Sequence, residues 1–131
     1  MLVSELLSES SSKLKEAGVI SATVDAELIA CFCLGISRSE LAIMTATNQN
    51  FPQDSMEHFQ LALARRVARQ PLQHITGTAP FRHLELKVGP GVFTPRPETE
   101  QVVGFAMEKI ANLQSPVIVD LCSGSGAIAI S

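Results

Sequence analysis

An apolar run, V-I-V-D-L at residues 117–121, leads directly into the small-residue turn C-S-G-S-G at residues 122–126. The run is typical of a buried parallel strand, and the apolar residues 127–130 predict the start of a helix after the turn. This order lets the backbone approach a ligand closely and points free helical amides at it. The segment therefore predicts the beginning of an α/β domain with a ligand-binding loop.

The first seventy residues predict a different architecture. Apolar side chains recur at helical spacing in four stretches, and such stripes need one another, so a small helical bundle is expected. Gly18 and Gly35 are predicted to end the first two helices, Ser21 to cap the second, and Ser37 with Glu40 to form a capping box on the third. The predicted apolar faces comprise Val3, Leu6, Leu7, Leu14 and Ala17 on the first helix, Val24, Leu28, Cys31 and Phe32 on the second, Leu41 and Met44 on the third, and Met56, Phe59, Leu63 and Val67 on the fourth, which is expected to begin near Asp54.

Glycines and prolines become frequent after Pro71, where short strands and turns are favoured over helix. A β-hairpin is predicted, with arms at residues 78–82 and 85–88 and with His83 and Leu84 in its turn. A further helix is expected to begin near Pro97, because proline suits the first helical position and the acids that follow complement the helix dipole. The predicted domains are a helical domain at residues 1–72, a hairpin linker at residues 73–92 and the start of an α/β domain at residues 93–131.

Length, charge and cysteine usage narrow the class of protein. With 131 residues, the chain is too short for a helical domain and a complete nucleotide-type α/β domain together. The net charge of -3 gives no reason to expect direct nucleic-acid binding, although basic residues dominate residues 61–97. The three cysteines match no disulfide framework, which favours a reducing compartment, and a cytoplasmic location is predicted. No apolar run reaches the roughly 20 residues that span a bilayer, so no membrane association is expected.

No metal site is expected. Cys31 and Cys33 diverge by their spacing on a helix and are interpreted as core residues. His58, His74 and His83 have no partner at ligand spacing.

Asp120 distinguishes between two classes of cofactor for the turn. Gly124, Gly126 and Ala129 fit the G-x-G-x-x-G/A pattern of dinucleotide-binding proteins, which is a weak signal by itself. An acid at the strand end, followed by small residues at alternate positions, instead resembles the D-x-G-x-G-x-G motif of S-adenosylmethionine-dependent methyltransferases. A carboxylate suits a cofactor amine or its bound water and would repel a pyrophosphate. The methyltransferase interpretation is favoured, a purely structural turn is the remaining alternative, and Cys122 replaces the first glycine of the motif.

The second informative segment is F-T-P-R-P-E-T-E at residues 93–100. Two prolines around Arg96 make a stiff, extended entry to a helix, so a well-capped helix start explains these residues when they are taken alone. Taken with R-x-x-R-Q-P-L-Q-H-I-T-G at residues 66–77 and the turn after Asp120, their order and spacing resemble the release-factor glutamine methyltransferases of the HemK/PrmC type. In that family a helical N-terminal domain precedes R-x-P-x-x-Y/H-I-x-G, a β-hairpin, P-R-P-E-T-E and the cofactor motif.

The resemblance also implies a set of site residues. Those implied to bind S-adenosylmethionine are Asp120, Cys122, Ser123, Gly124, Ser125 and Gly126. Those implied to lie beside the cofactor and the substrate entrance are Phe93, Pro95, Arg96, Glu98 and Thr99. Arg96 is expected to pair with a carboxylate or with backbone carbonyls. The cluster of Arg65, Arg66 and Arg69 has three interpretations: binding of an acidic partner or ribosomal RNA, a solvated face, or, by the resemblance, a structural role between domains.

The fold and activity that the resemblance implies are a helical bundle, a hairpin and then a Rossmann-like class I domain that methylates the glutamine of peptide chain release factors, with the helical domain contacting the release factor. The family's N-P-P-Y motif, which orients the glutamine amide, does not occur in these residues, so the chain holds no catalytic residue and is expected to be inactive alone. The alternatives are a sister methyltransferase acting on a ribosomal protein or an adenine base, and a non-catalytic protein-binding module. Residues after about Pro116 are expected to be poorly ordered or aggregation-prone in isolation, since a single strand has no sheet to join.

Overall fold

The computed structural model describes all 131 residues, which form two compact units, Met1–Thr76 and Gly77–Ser131. The first unit, called here the helical unit, contains five helices. They are α1 Val3–Glu16, α2 Ala22–Leu34, α3 Arg38–Ala46, α4 Gln53–Val67 and α5 Leu72–Thr76. The predicted helical bundle is therefore confirmed, with one short helix more than expected.

Local signals at the helix ends act largely as predicted. Gly35 ends α2 in the left-handed conformation at φ 65°, which a glycine adopts without strain. The capping box of α3 is present: the Glu40 carboxylate accepts a hydrogen bond from the backbone amide of Ser37 at 2.8 Å, and the Ser37 hydroxyl accepts one from the amide of Glu40 at 3.2 Å. The Ser37 hydroxyl also donates to the Glu40 carboxylate at 2.7 Å, and the bond from the Ser37 amide and this one together lower the pKa of Glu40. Three-residue spacing was thus enough to locate this helix start.

One continuous apolar core fills the helical unit, and α2 lies at its centre, packed against each of the other four helices. Its buried residues are Val3, Leu6, Leu14, Val19, Ala22, Ala26, Ile29, Ala30, Cys31, Leu41, Phe51, Phe59, Ala62, Leu63 and Ile75. The rings of Phe51 and Phe59 pack with their centroids 5.2 Å apart.

The predicted apolar face of α2 is wrong at two of its four residues, Val24 and Phe32, whereas Cys31 is buried as predicted. Val24 and Phe32 are 42% and 38% exposed, whereas Ala22, Ala26 and Ile29 are buried. The cause is that α2 carries apolar residues on almost every side, so their spacing does not select a face. Small alanines on the buried side let neighbouring helices approach closely, and the larger side chains are left outside.

Three smaller predictions in this unit also need correction. Ser21 is at the N-cap position of α2, but its hydroxyl donates to the Asp25 carboxylate at 2.8 Å instead of capping the helix. Helix α4 begins at Gln53, one residue before Asp54, with Pro52 at its N-cap. Ile75 belongs to α5 and to the helical core instead of to a strand, because Pro71 begins another turn of helix.

The second unit contains the predicted hairpin. Strand β1, Thr78–Phe81, pairs antiparallel with β2, Leu84–Lys87, and Phe81 lies opposite Leu84. Leu84 is therefore in the strand, and the turn consists of Arg82, at φ 53°, and His83. Helix α6 spans Pro97–Ile110 as predicted, and α7 spans Ala127–Ile130. A small core joins these elements through Ala79, Phe81, Leu86, Val88, Val103 and Ala127.

The apolar run at residues 117–121 does not form the predicted buried strand. It belongs to no strand, and Val117 and Leu121 are 90% and 81% exposed. A strand needs a second strand to satisfy its backbone and cover its side chains, and the only sheet of the chain is the two-stranded hairpin.

No single helix is long and apolar enough to cross a membrane. Helices α2 and α3 meet that criterion only as a pair, and they are bent by 100° at the break between them.

Candidate functional site

A cleft in the second unit brings together the two segments that the sequence singles out. Its volume is about 270 Å³, and one wall is the loop before α6 while the other is the turn before α7. The lining residues are Phe93, Thr94, Pro95, Arg96, Thr99, Cys122, Ser123, Gly124, Ser125, Ala127 and Ile128. The segments are separated by about twenty residues of sequence, so their juxtaposition is a property of the fold.

The turn before α7 has a distinctive backbone. Cys122, Gly124 and Gly126 all have positive φ angles, of 61°, 55° and 76°, so the left-handed conformation recurs at every second residue. Gly126 is the N-cap of α7, and its amide donates to the Ser123 carbonyl at 2.8 Å. Cys122 thus adopts a conformation that normally favours glycine, at a cost of roughly 1–2 kcal/mol for a residue with a Cβ.

Arg96 occupies the opposite wall at the N-cap of α6. Its backbone is extended, at φ -93° and ψ 145°, because the following Pro97 disfavours the helical region. Its side chain is exposed and makes no hydrogen bond or ion pair, although Glu98 and Glu100 lie in the next turn. The expected pairing of Arg96 with a carboxylate or carbonyl is therefore not made within this chain.

Only some of the other predicted site residues line the cleft. Phe93, Pro95 and Thr99 line the cleft together with residues 122–125, whereas Glu98 and Gly126 do not. Asp120 lines a second cavity of about 220 Å³, between α6 and α7. One oxygen of its carboxylate, Oδ2, is buried and has no hydrogen-bond partner. A buried carboxylate oxygen without a donor is costly, so this position calls for a donor that the chain does not supply.

The arginine cluster at the end of α4 faces inward. Arg66 Nε donates to Asp25 Oδ2 at 2.6 Å, and its Nη1 donates to the Gln70 carbonyl at 2.9 Å. Arg65 donates to the Gln70 side chain at 2.9 Å and to the His74 carbonyl at 3.2 Å. Each of these contacts lies within the helical unit.

The third member of the cluster ties two helix ends together. Arg69 has φ 68° and directs its guanidinium to the carbonyls of Ala17 and Gly18, where α1 ends. Cations at a helix C-terminus satisfy free carbonyls and interact favourably with the helix dipole. The three arginines therefore make structural contacts, but these lie inside the helical unit and not between domains as the resemblance implies.

Sequence reasoning missed the buried pair of Asp25 and Arg66, whose side chains are 6% and 17% exposed. The signal was available, since Asp25 is an acid in an otherwise apolar stretch of α2 and a buried acid requires a partner. The cysteines of the same helix need no charged partner, because burial keeps their thiols neutral. Burial raises the pKa of Cys31, and it raises the pKa of Cys33 to about 11. Both thiols remain protonated near neutral pH, as expected of core residues.

Comparison with known proteins places this chain among recognisable relatives. Residues 5–77 match the family model described as the PrmC N-terminal domain. The chain is 48% identical over 133 residues to the release factor glutamine methyltransferase of Streptomyces coelicolor, and 41% identical over 134 residues to that of Bifidobacterium longum. Each alignment covers 100% of this chain but only 45% and 46% of the relatives' length, so the chain spans less than half of them. The match to the family model covers more than half of the chain, which therefore belongs to the PrmC N-terminal domain family.

Proposed function

We propose that this chain supplies the helical domain and the first part of the cofactor site of an S-adenosylmethionine-dependent methyltransferase that modifies the glutamine of peptide chain release factors. The observation that carries the proposal is the cleft, in which residues 93–99 face the turn at residues 122–128. The names of the relatives supply the reaction class and the protein substrate. The three free cysteines fit the reducing cytoplasm in which we place the protein.

The residues of the cleft fit such a cofactor chemically. The turn has small side chains, so its backbone is accessible to a nucleoside with an amino-acid tail. Asp120 lies outside the cleft, in the second cavity, where its orphaned oxygen is suited to accept a hydrogen bond from a donor outside this chain, such as an ordered water. When bound, the cofactor supplies an electrophilic methyl group on a sulfonium. The task of residues 93–99 and 122–128 is to hold it in one orientation and to exclude water, because in-line displacement depends on position.

The helical unit has a separate role in this proposal. It has one continuous apolar core, and its buried ion pair of Asp25 and Arg66 lies inside the unit, so it is suited to present a rigid outer surface to a release factor. The 131 residues alone are proposed to be inactive, because the apolar residues 117–121 have no sheet around them to hold the turn in place.

A chimera tests the proposal. Residues 1–131 of this chain replace the matched segment of the Streptomyces coelicolor relative, and the chimera is assayed for methyl transfer from labelled S-adenosylmethionine to a release factor, with the intact relative as the positive control. We expect methylation by the chimera and none by the 131-residue chain. A folded chimera that binds NAD instead of S-adenosylmethionine, or that binds neither, would refute the proposal. Methylation of ribosomal protein or DNA, but not of release factor, would overturn the proposed substrate.

A further inference from the structure

The outer side of α2 carries a row of apolar residues that remains accessible to solvent. Val24, Leu28 and Phe32 are spaced four residues apart, which places them on one side of the helix. Val24 and Phe32 are exposed, and Leu28 is half-buried. Ile20, four residues before Val24 in the turn that leads into α2, is fully exposed. The row is therefore open to a partner from the start of α2 to its last turn.

Helix α4 widens this row on one side. The ring of Phe32 packs against the ring of His58 in α4, with the centroids 5.3 Å apart. Leu61 follows His58 by three residues, so it lies on the same side of α4, and it is 62% exposed. Single exposed apolar residues are ordinary on a protein surface, whereas a contiguous group of them marks an interaction site. The five apolar residues of this group, called here the outer stripe, are Ile20, Val24, Leu28, Phe32 and Leu61.

The outer stripe contains no charged residue. Helix α2 has two acids, Asp25 and Glu27, and both form ion pairs within the helical unit, with Arg66 and Arg38. A partner that covers the stripe therefore buries apolar surface without removing water from an unpaired charge of α2. The stripe is thus suited to an apolar surface on the partner.

The spacing of the stripe indicates the shape of that surface. Side chains four residues apart form a ridge along a helix, and such a ridge packs into the groove between the ridges of a second helix. An amphipathic helix offers an apolar face of this kind and satisfies its own backbone hydrogen bonds. An added strand would instead need a free sheet edge, which α2 does not offer. The stripe therefore fits an amphipathic helix of a partner.

The size of the stripe favours a transient partner over a second copy of this chain. A stable interface buries about 800 Å² on each partner and uses about 20–30 residues on each side. The stripe supplies only a small part of such an interface. A short-lived contact suits a protein that must leave after it has been modified, and the relatives are named after a protein substrate of this kind. Binding energy from parts of a substrate remote from the reacting group also contributes to catalysis.

We propose that the outer stripe docks an amphipathic helix of the release factor, at a part of the substrate other than the modified glutamine. This inference rests on the proposed function, which supplies the identity of the substrate. The stripe belongs to the helical unit, whereas the cleft lies in the second unit. Because the stripe touches neither cofactor nor glutamine, its loss weakens binding of the release factor and leaves the methyl-transfer step unchanged.

The test uses the chimera described above, in which residues 1–131 come from this chain. Ile20→Lys and Leu61→Lys each place a charge in the stripe at an exposed position, where the fold tolerates it. Ile20→Leu keeps the stripe apolar. The matched control is Ile43→Lys, the same substitution at an exposed isoleucine of α3 outside the stripe. Steady-state methylation gives kcat and the KM for release factor, and calorimetry with S-adenosylhomocysteine reports on the cofactor site.

We expect Ile20→Lys and Leu61→Lys to raise the KM for release factor by roughly 10-fold or more, as for the loss of an apolar anchor, with kcat within about twofold of the parent. Ile20→Leu and Ile43→Lys should match the parent chimera. The affinity for S-adenosylhomocysteine should be the same in all variants, since none of the substituted residues lines the cleft.

Three outcomes would contradict the inference. No change in KM for either stripe variant, or an equal rise for Ile43→Lys, would overturn the docking assignment while leaving the proposed function intact. A dimer of the 131-residue chain in analytical ultracentrifugation that Ile20→Lys dissociates, with the KM for release factor unchanged, would assign the stripe to a second copy instead. A parent chimera that methylates no release factor would overturn the proposed function and this inference with it.

Discussion

The helical unit and the second unit differ in how completely they bury their apolar residues. Helices satisfy their own backbone hydrogen bonds, so five of them need only bring their apolar sides together, and fifteen buried residues form one core. The second unit has a core of six residues around one hairpin, while residues 117–121 lie exposed. A single strand cannot satisfy its own backbone hydrogen bonds and needs a neighbouring strand. The comparison shows that the helical unit buries a large continuous core, whereas the second unit leaves a whole apolar segment uncovered.

Amide hydrogen exchange should show the largest contrast between the units. Amides of α2, at the centre of the helical core, should exchange at least about a thousandfold more slowly than in an unfolded chain, because exchange requires opening of the unit. Amides of residues 117–121 have no strand partner and should exchange close to the unfolded rate. Mass-spectrometric exchange on the monomeric chain measures both. Strong protection of residues 117–121 would contradict the comparison.

Truncation of apolar side chains should reproduce that contrast in the free energy of unfolding. Phe59 is fully buried in the helical core, and Phe59→Ala should cost about 3–5 kcal/mol through lost packing and a cavity. Val119 is 71% exposed, and Val119→Ala should change stability by less than about 0.5 kcal/mol. Urea denaturation followed by circular dichroism gives both values. Similar losses for the two variants would show that residue 119 is covered in solution.

The ion pair of Asp25 and Arg66 tests whether buried polar groups of the helical unit are shielded from water. Asp25→Ala leaves the charge of Arg66 without its partner and should cost about 3 kcal/mol. The control is Glu27→Ala on the same helix, which removes an ion pair to Arg38 whose side chains are more exposed. That change should cost less than about 1 kcal/mol. Equal costs for the two variants, measured by urea denaturation, would mean that water reaches Asp25.

In the second unit, replacing Cys122 by glycine should relieve backbone strain. Cys122→Gly places a glycine at φ 61° and should stabilise the turn by roughly 1 kcal/mol or less, since relief of strain is offset by a more flexible unfolded chain. The reciprocal variant in the helical unit is Gly35→Ala, at φ 65° with open space around it, which should destabilise by about 1 kcal/mol. Thermal denaturation of both variants checks the signs. A destabilised Cys122→Gly variant would show that the thiol contributes packing.

The smallest effect concerns the capping box of α3. Hydrogen bonds from Ser37 lower the pKa of Glu40 from its ordinary value of 4.5, so the folded state binds this proton less tightly than the unfolded state. The resulting stabilisation is fully present above the unfolded pKa and is lost as the pH falls through the folded pKa. Glu40→Gln should therefore reduce the difference in urea midpoint between pH 7 and pH 3. An unchanged difference would exclude the capping carboxylate as a contributor to acid sensitivity.

Local rules predicted most of the helical unit. The capping box at Ser37 and the left-handed ending at Gly35 depend on a few neighbouring residues, and the structure contains both. The apolar face of α2 was misassigned because nearly all of that helix is apolar, so the neighbours decide which side is buried. Pairing of Asp25 with Arg66 joins residues 41 positions apart, and no local pattern specifies a contact at that distance.

The candidate site was predictable as two segments but not as one cleft. Motif spacing singled out residues 93–100 and 120–126, and their meeting depends on how α6 packs in the second unit. The sequence pattern also placed Asp120 with the turn, whereas its carboxylate lines a different cavity, between α6 and α7. The predicted strand at residues 117–121 failed because the apolar pattern specifies burial only where a neighbouring strand exists.

Cys122 has a practical consequence for future work. Its thiol is exposed at the edge of the cleft, whereas Cys31 is buried and the pKa of Cys33 is about 11. A maleimide dye added near neutral pH should therefore attach at one position without any engineered cysteine. A dye attached at Cys122 would lie at the edge of the cleft, where its fluorescence is placed to respond to a ligand that enters.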